Sequence, residues 1–266
     1  MTNASTAESP PRKGPIFEHP LNERMRGFLR LEFLFKQFDG YRQQLSQPAL
    51  ARAAMYSLLD LHTITSRNEL RNELIKELER HINVLREFQS RRGVDIERLN
   101  EVLTRLSSHR DRLYSINGQE LAKTRDSEFL AAIRHRISIP GGTCDFDLPE
   151  YAHWLNQASD VLKKDLDSWI EPMRPLGGAV TDLLWITREN ARPREEIAQD
   201  GSHHINFERE SPIQLLRIIL TPESKLYPQI SGSHHRCSIR FLEWQSAANR
   251  GVQAQGSVHF LLARCS

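Results

Sequence analysis

The sequence predicts an α+β protein, with an N-terminal helical domain followed by an antiparallel β domain. Two observations carry this reading. Between residues 20 and about 190, apolar residues recur with the period of an amphipathic helix, and Pro, Gly and Asp stand where helices should stop. After Pro193 the texture changes to alternation in "HHINFER", "IQLLRIIL", "HRCSIRFLEW" and "VQAQGSVHFLLAR", separated by Pro, Gly, Ser and Asn. Helices first and strands second is the order of an α+β chain. The expected division is a disordered tail over 1–15, a helical domain over 16–192 and a β domain over 193–266.

The stretch "IFEHPLNERMRGFLRLEFLFKQF", residues 16–38, reads as a helix entered through Pro20. Phe28, Leu29, Leu31, Phe33, Leu34, Phe35 and Phe38 cover almost its whole circumference, the mark of a helix surrounded by protein. Arg24, Arg26 and Arg30 stand at the edge of this element. Arg26 and Arg30 are four apart, share a face and repel by a few tenths of a kcal/mol, so an acidic group is expected opposite them.

"SRNELRNELIKELERHINVLREF" opens with Ser66 and Glu69 in capping-box spacing and places Leu70, Leu74, Leu78, Ile82 and Leu85 on one face. Arg91, Arg92 and Gly93 end it. Asp95 caps the next helix, striped by Ile96, Leu99, Val102, Leu103 and Leu106, so 66–115 reads as an antiparallel helical hairpin. A shorter helix over about 126–137 is broken by Pro140, Gly141 and Gly142, and the residues that follow allow a short strand over 141–147. Further helices fill about 149–189, with Trp154, Leu162, Leu166, Trp169, Ile170, Leu183, Leu184 and Trp185 as buried contacts. The last strand, "SVHFLLARC", must be held by pairing to earlier ones.

Length and composition narrow the function. At 266 residues and 39% hydrophobic, the chain can bury a real core. A net charge of +2 with 26% charged residues argues against a surface built wholly for nucleic acid, so basic chemistry must come from a local patch. Cys144, Cys237 and Cys265 form neither a disulfide framework nor a CxxC motif. The first fifteen residues lack the apolar stretch of a signal peptide, and no run approaches the roughly 18 apolar residues of a membrane span, so a cytosolic protein is expected.

His203, His204, His235 and Cys237 raise a zinc question, but their spacing matches no zinc pattern, and a solvated strand edge with a buried Cys237 accounts for them. No phosphate loop, GxSxG or HExxH is present, and the pair Asp145 and Asp147 has no partner nucleophile. No catalytic residue, metal or cofactor is expected. Arg24, Arg26, Arg30, Arg125, Arg134 and Arg136 fit either solvated and locally paired side chains or an anion or acidic-peptide site. Composition leaves both open. A nucleic-acid-binding module using the same arginines on phosphates is the alternative from another class, and would come with a more basic balance.

Three blocks, "FEHPLNERMRGFLRLEFL", "ISIPGGTCDFDLP" with "HWL" close behind, and "LYPQISG" followed by "SIRF", together resemble the ZapD family of Z-ring-associated cell division proteins of proteobacteria. They span residues 17–241 in the family's order. The resemblance implies a non-enzymatic cytoplasmic homodimer acting at the mid-cell division site, with no nucleic acid or membrane partner. Such a protein binds the C-terminal tail of the tubulin-like FtsZ and bundles its filaments. It also implies that the helical domain dimerises and that its basic residues meet the tail. Arg26 and Arg30 occupy the matching "MRxxLR" positions, and Arg24, Arg125, Arg134 and Arg136 are further candidates. The sequence departs from the family in a longer N-terminal tail, with Arg12 and Lys13, and in His153 beside Trp154.

Overall fold

The computed structural model describes residues 14–66, 68–116, 124, 127–208, 211–232 and 235–266. Its contacts divide the chain into two compact units, one of residues 27–186 and one of residues 1–26 with 187–266. The first is helical; the second holds all the described strands.

The helical unit is built on α1 (Glu23–Arg42), α2 (Pro48–Thr65), α3 (Asn68–Phe88), α4 (Ile96–Ser115), α5 (Glu128–Arg136), α6 (Pro149–Leu155), α7 (Ser159–Ile170) and α8 (Arg174–Glu189), with a 3₁₀ turn at Glu171–Met173. Helix α2 lies at the centre: Ala51, Ala54, Met55, Leu58 and Leu61 are fully buried. Along α1, Met25, Phe28, Leu31, Phe35 and Phe38 repeat every three or four residues and are buried, whereas Phe33 is 60% exposed. The helix is therefore covered along one stripe, and the expectation of cover all round fails at Phe33. Gly177 explains how closely α8 meets that stripe. A Cβ there would lie 3.0 Å from the Phe35 ring, which offsets the usual penalty of about 1 kcal/mol for glycine inside a helix. Ion pairs of Arg42 with Asp167 and of Arg174 with Asp39, the latter at 2.7 Å, link α1 to α7 and α8.

Helices α3 and α4 form the expected hairpin, turned at Gly93 with φ +84° and capped by Asp95, whose carboxylate accepts from the Arg98 N–H at 3.1 Å. Ser66 does not cap α3; its hydroxyl donates to the Thr63 carbonyl at the end of α2. Ile96 is 42% exposed at the mouth of the hairpin, and Trp185 is 36% exposed under the Arg105 guanidinium, 5.0 Å from its ring centre, rather than buried. Residues 137–148 form consecutive turns and no strand. Gly142 donates to Ile139 and Cys144 to Gly141, and Gly141 adopts φ +74°, so the segment coils where an extended piece over 141–147 was allowed.

The second unit holds two antiparallel sheets. One has the order β1-β4-β8-β2, from β1 (Ile16–Pro20), β2 (Arg194–Ala198), β4 (Leu215–Ile219) and β8 (Val258–Cys265). The other has the order β3-β6-β5, from β3 (Ser202–Asn206), β5 (Leu226–Gly232) and β6 (Arg236–Glu243), with the short β7 (Val252–Gln253) beside β6. Alternate residues of both sheets meet in one core of Ile205, Leu216, Ile218, Ile239, Phe241, Phe260 and Leu262. Asp200 and Gly201, with φ 47° and 67°, make the tight turn between β2 and β3. A Cβ at Gly201 would stand 2.6 Å from the Ala254 carbonyl oxygen, so the position needs glycine twice over.

The first strand is a finding the sequence did not announce. Ile16–Pro20 pairs with Leu215–Ile219, and Pro15 accepts from the Leu220 N–H, so the chain enters α1 from a strand, while residues 1–13 of the expected tail lie outside the described residues. Pro20 sits at the end of the edge strand β1, where a missing donor is tolerated.

Candidate functional site

Helix α1 begins under tight local control. The Asn22 side chain caps its first turn by accepting from the Met25 N–H at 2.8 Å, and Glu23 places an acid where the helix N-terminus favours one. The three arginines that follow are held differently. Arg24 donates to the Gln214 side chain at 2.8 Å and is half-buried, which makes it part of the strand-bearing unit. Arg26 pairs with Glu23, Nε to Oε1 at 3.2 Å, without hydrogen-bond alignment, so the acid expected near the pair comes from its own helix. That Glu23 side chain is 86% exposed. Arg30, one turn on, is exposed, and among the described residues it has no hydrogen-bond or ion-pair partner. Three positions further, on the same side of the helix, Phe33 presents its ring to solvent. The exposed stripe of α1 thus reads Glu23, Arg26, Arg30, Phe33.

Beside α1, the imidazole of His19 titrates below the ordinary histidine value, first because burial disfavours the cation and second because the Arg26 guanidinium repels it. Neutral His19 leaves the positive charge of this surface to the arginines.

The second group of predicted residues lies on α5. Arg134 is half-buried and engaged, while Arg136, two residues on and pointing elsewhere, is exposed and pairs with Asp147 at 3.1 Å. Asp147 also accepts from the Cys144 thiol, so it is occupied as a turn residue rather than poised as one of a catalytic pair. Phe146 beside it is 87% exposed, and Ile139 48%. The turns of 137–148 hold this ring outward on a framework of backbone hydrogen bonds, and helices α5, α6 and α7 carry an aromatic cluster of Phe129, Tyr151, Trp154 and Trp169, whose rings lie 5.6 to 6.2 Å from their neighbours. Arg125 lies outside the described residues.

Two exposed combinations of guanidinium and aromatic ring therefore stand on the helical unit, Arg30 with Phe33 and Arg136 with Phe146. Sequence reasoning found the cations and missed the rings. For Phe33 a signal existed: the stripe Met25, Phe28, Leu31, Phe35, Phe38 has regular helical spacing and leaves Phe33 out of it. For Phe146, flanked by two aspartates, only the turn geometry reveals the exposure.

Among the described residues no group of three His, Cys, Asp or Glu side chains converges as metal ligands. Cys237 is fully buried in the sandwich core, where burial raises its thiol pKa to about 11. His203 turns toward Phe260, ring centres 5.4 Å apart.

The fold and these surfaces define a two-unit α+β protein that offers recognition chemistry, positive charge beside exposed aromatic rings. Comparison with known proteins gives it a family. Residues 29–240 match the model of the family described as ZapD, cell division protein. A cell division protein ZapD of Methylococcus capsulatus is 33% identical over 250 residues, covering 94% of this chain and 97% of the relative. Another, of Serratia proteamaculans, is 37% identical over 233 residues, covering 87% and 90%. The chain belongs to the ZapD family of cell division proteins.

Proposed function

We propose that this protein acts without catalysis, binding the C-terminal tail of FtsZ through the exposed basic and aromatic groups of its helical unit. As a homodimer at mid-cell it cross-links FtsZ filaments into bundles, and so promotes Z-ring assembly and stability. The observation that carries the proposal is Arg30: an exposed guanidinium with no described partner, one turn from a solvent-facing Phe33. A tail with carboxylates and an apolar anchor matches that combination. Charge-assisted hydrogen bonds satisfy the cation, and the ring covers the anchor. Arg26 and Arg136 extend the positive surface on either element, and Arg24, Arg134 and Arg125 remain supporting candidates.

Exposed ion pairs contribute only about 0.2 to 1 kcal/mol each, so one site binds weakly. Two sites on a two-fold dimer bridge filaments that present many tails at once, and avidity multiplies the effect without new contacts. A labelled FtsZ tail peptide titrated with the protein tests the site itself. Anisotropy should report weak saturable binding that loosens as salt shortens the screening length to a few ångströms. No binding at low salt would refute the site.

The same unit supports the proposed dimer. Val84, Ile96 and Tyr114 leave apolar surface exposed on the α3–α4 hairpin, at 40%, 42% and 61%. Light scattering at micromolar concentration should give twice the 30.8 kDa of one chain. A monomer would overturn the cross-linking mechanism.

A further inference from the structure

The outer face of the first sheet breaks the pattern expected of a sheet with one solvated side. Leu216 and Ile218 of β4, Phe260 and Leu262 of β8 and Ala198 of β2 point into the core, and Phe17 of β1 packs against it. Ile16, Ile219, Leu261, Glu195 and Ile197 therefore turn outward. A solvated face of an antiparallel sheet carries polar residues, as the second sheet does at Arg236, Ser238 and Arg240 of β6. Here the register instead aligns Ile16, Ile219, Leu261 and Glu195 in one row across all four strands, with Ile197 beside it. Ile16 and Ile197 are exposed, and Ile219 and Leu261 are half-buried. A cavity of about 380 Å³ opens on the row, walled by Ile219, Thr221, Pro222, Leu261, Glu195 and Glu196 among others. Glu196 is paired with Arg264 at 3.3 Å. The Glu195 side chain is exposed, and among the described residues it has no hydrogen-bond or ion-pair partner.

We propose that this row docks an amphipathic helix of a partner protein, whose apolar stripe ends in a lysine or arginine. From Ile16 to Leu261 is two strand spacings, about 10 Å, and from Ile16 to Glu195 three, about 14 Å. A helix laid across the strands rises about 1.5 Å per residue, so apolar residues at i, i+3 and i+7 cover Ile16, Ile219 and Leu261, and a cation at i+10 reaches Glu195. Neither edge strand invites an added strand instead. Pro15 and Pro20 bound β1, and on β2 the His203 Nδ1 lies 3.2 Å from the Ile197 carbonyl oxygen. A second copy also fits less well. Of the outward positions on these four strands only Arg217 bears a guanidinium or ammonium group, and Glu18 holds it at 2.9 Å, so a two-fold contact through this face leaves Glu195 without a cation. The proposal is independent of tail binding, because no residue of α1 or α5 takes part.

The probe is a labelled helical peptide with leucines at i, i+3 and i+7 and lysine at i+10, titrated with the full chain and followed by anisotropy. Binding should saturate. Ile16→Gln/Ile197→Gln should weaken it about tenfold or more, since apolar cover is lost from the row. Glu195→Lys should weaken it about three- to tenfold, because an attraction becomes a repulsion at an exposed position. Glu195→Asp should keep most of it. The same peptide with glutamine for its lysine should bind more weakly and no longer distinguish Glu195→Lys from the wild type. Should the isoleucine pair misfold, Ile197→Gln alone serves, with a smaller expected loss. No saturable binding, or equal binding by the folded variants, would overturn the proposal. So would an equal loss in Glu101→Lys, at an exposed acid of α4, which would mark unspecific attraction. A changed mass of the isoleucine variant in light scattering would overturn it too, by marking a contact between copies.

Discussion

Replacing Arg26 and Arg30 together by Glu should abolish FtsZ bundling while the melting temperature and the dimer stay near wild type. The free protein loses little. Arg30 has no described partner to break, and Arg26 is paired only with the solvent-exposed Glu23 of its own helix. Glutamate at position 26 would instead stand three residues from Glu23, a like-charge pair costing about 0.2 to 0.5 kcal/mol. On the proposed function the bound state loses much more, because both changes would set a carboxylate against an acidic tail, and both sites of the proposed dimer would have to hold at once. His19 supplies an internal check. Its pKa is held down first by burial and second by Arg26, so the variant should raise it, an upward shift readable in an NMR titration. A double variant that unfolds or becomes monomeric would return these arginines to the fold or the dimer contact. One that still bundles at ordinary salt would move the site to Arg136 and Phe146.

Removing residues 258–266 should prevent folding of the strand-bearing unit. Strand β8 is the last in the chain but lies inside its sheet, paired to β4 on one side and β2 on the other. Val258, Phe260 and Leu262 are each at most 8% exposed. At about 1.5 to 3 kcal/mol for each large apolar side chain, their burial is comparable with the whole stability of a typical domain, about 5 to 15 kcal/mol. The truncation also leaves two strands with unpaired backbone donors and acceptors facing each other across a gap. Circular dichroism and solubility should both report the loss. A truncated chain that melts cooperatively at the wild-type temperature would show that β8 is dispensable.

The change of period near Pro193 carried most of the fold, because burial on one face writes itself into spacing: Leu74, Leu78 and Ile82 for a helix, Cys237, Ile239 and Phe241 for a strand. The Asp95 cap and the Gly93 stop were equally plain, being chemistry confined to a few neighbouring residues. What stayed hidden depends on distant parts of the chain. Strand β1 is five residues long and gains its identity from Leu215–Ile219, so a proline beside a helical pattern looked like a helix entry. Ser66 has the spacing of a capping box, but its hydroxyl is taken by the helix it follows. The candidate site was visible only as a list of cations. Arg24, Arg26 and Arg30 are alike in sequence, and tertiary structure separates them: one held by Gln214, one by Glu23, one open to solvent.

Sedimentation of polymerised FtsZ asks the central question directly. At a speed too low to pellet single filaments, adding this protein should carry FtsZ into the pellet, and FtsZ lacking its C-terminal tail should stay in the supernatant. Full-length filaments that remain in solution with the dimer present, or tailless filaments that pellet equally well, would contradict cross-linking through the tail.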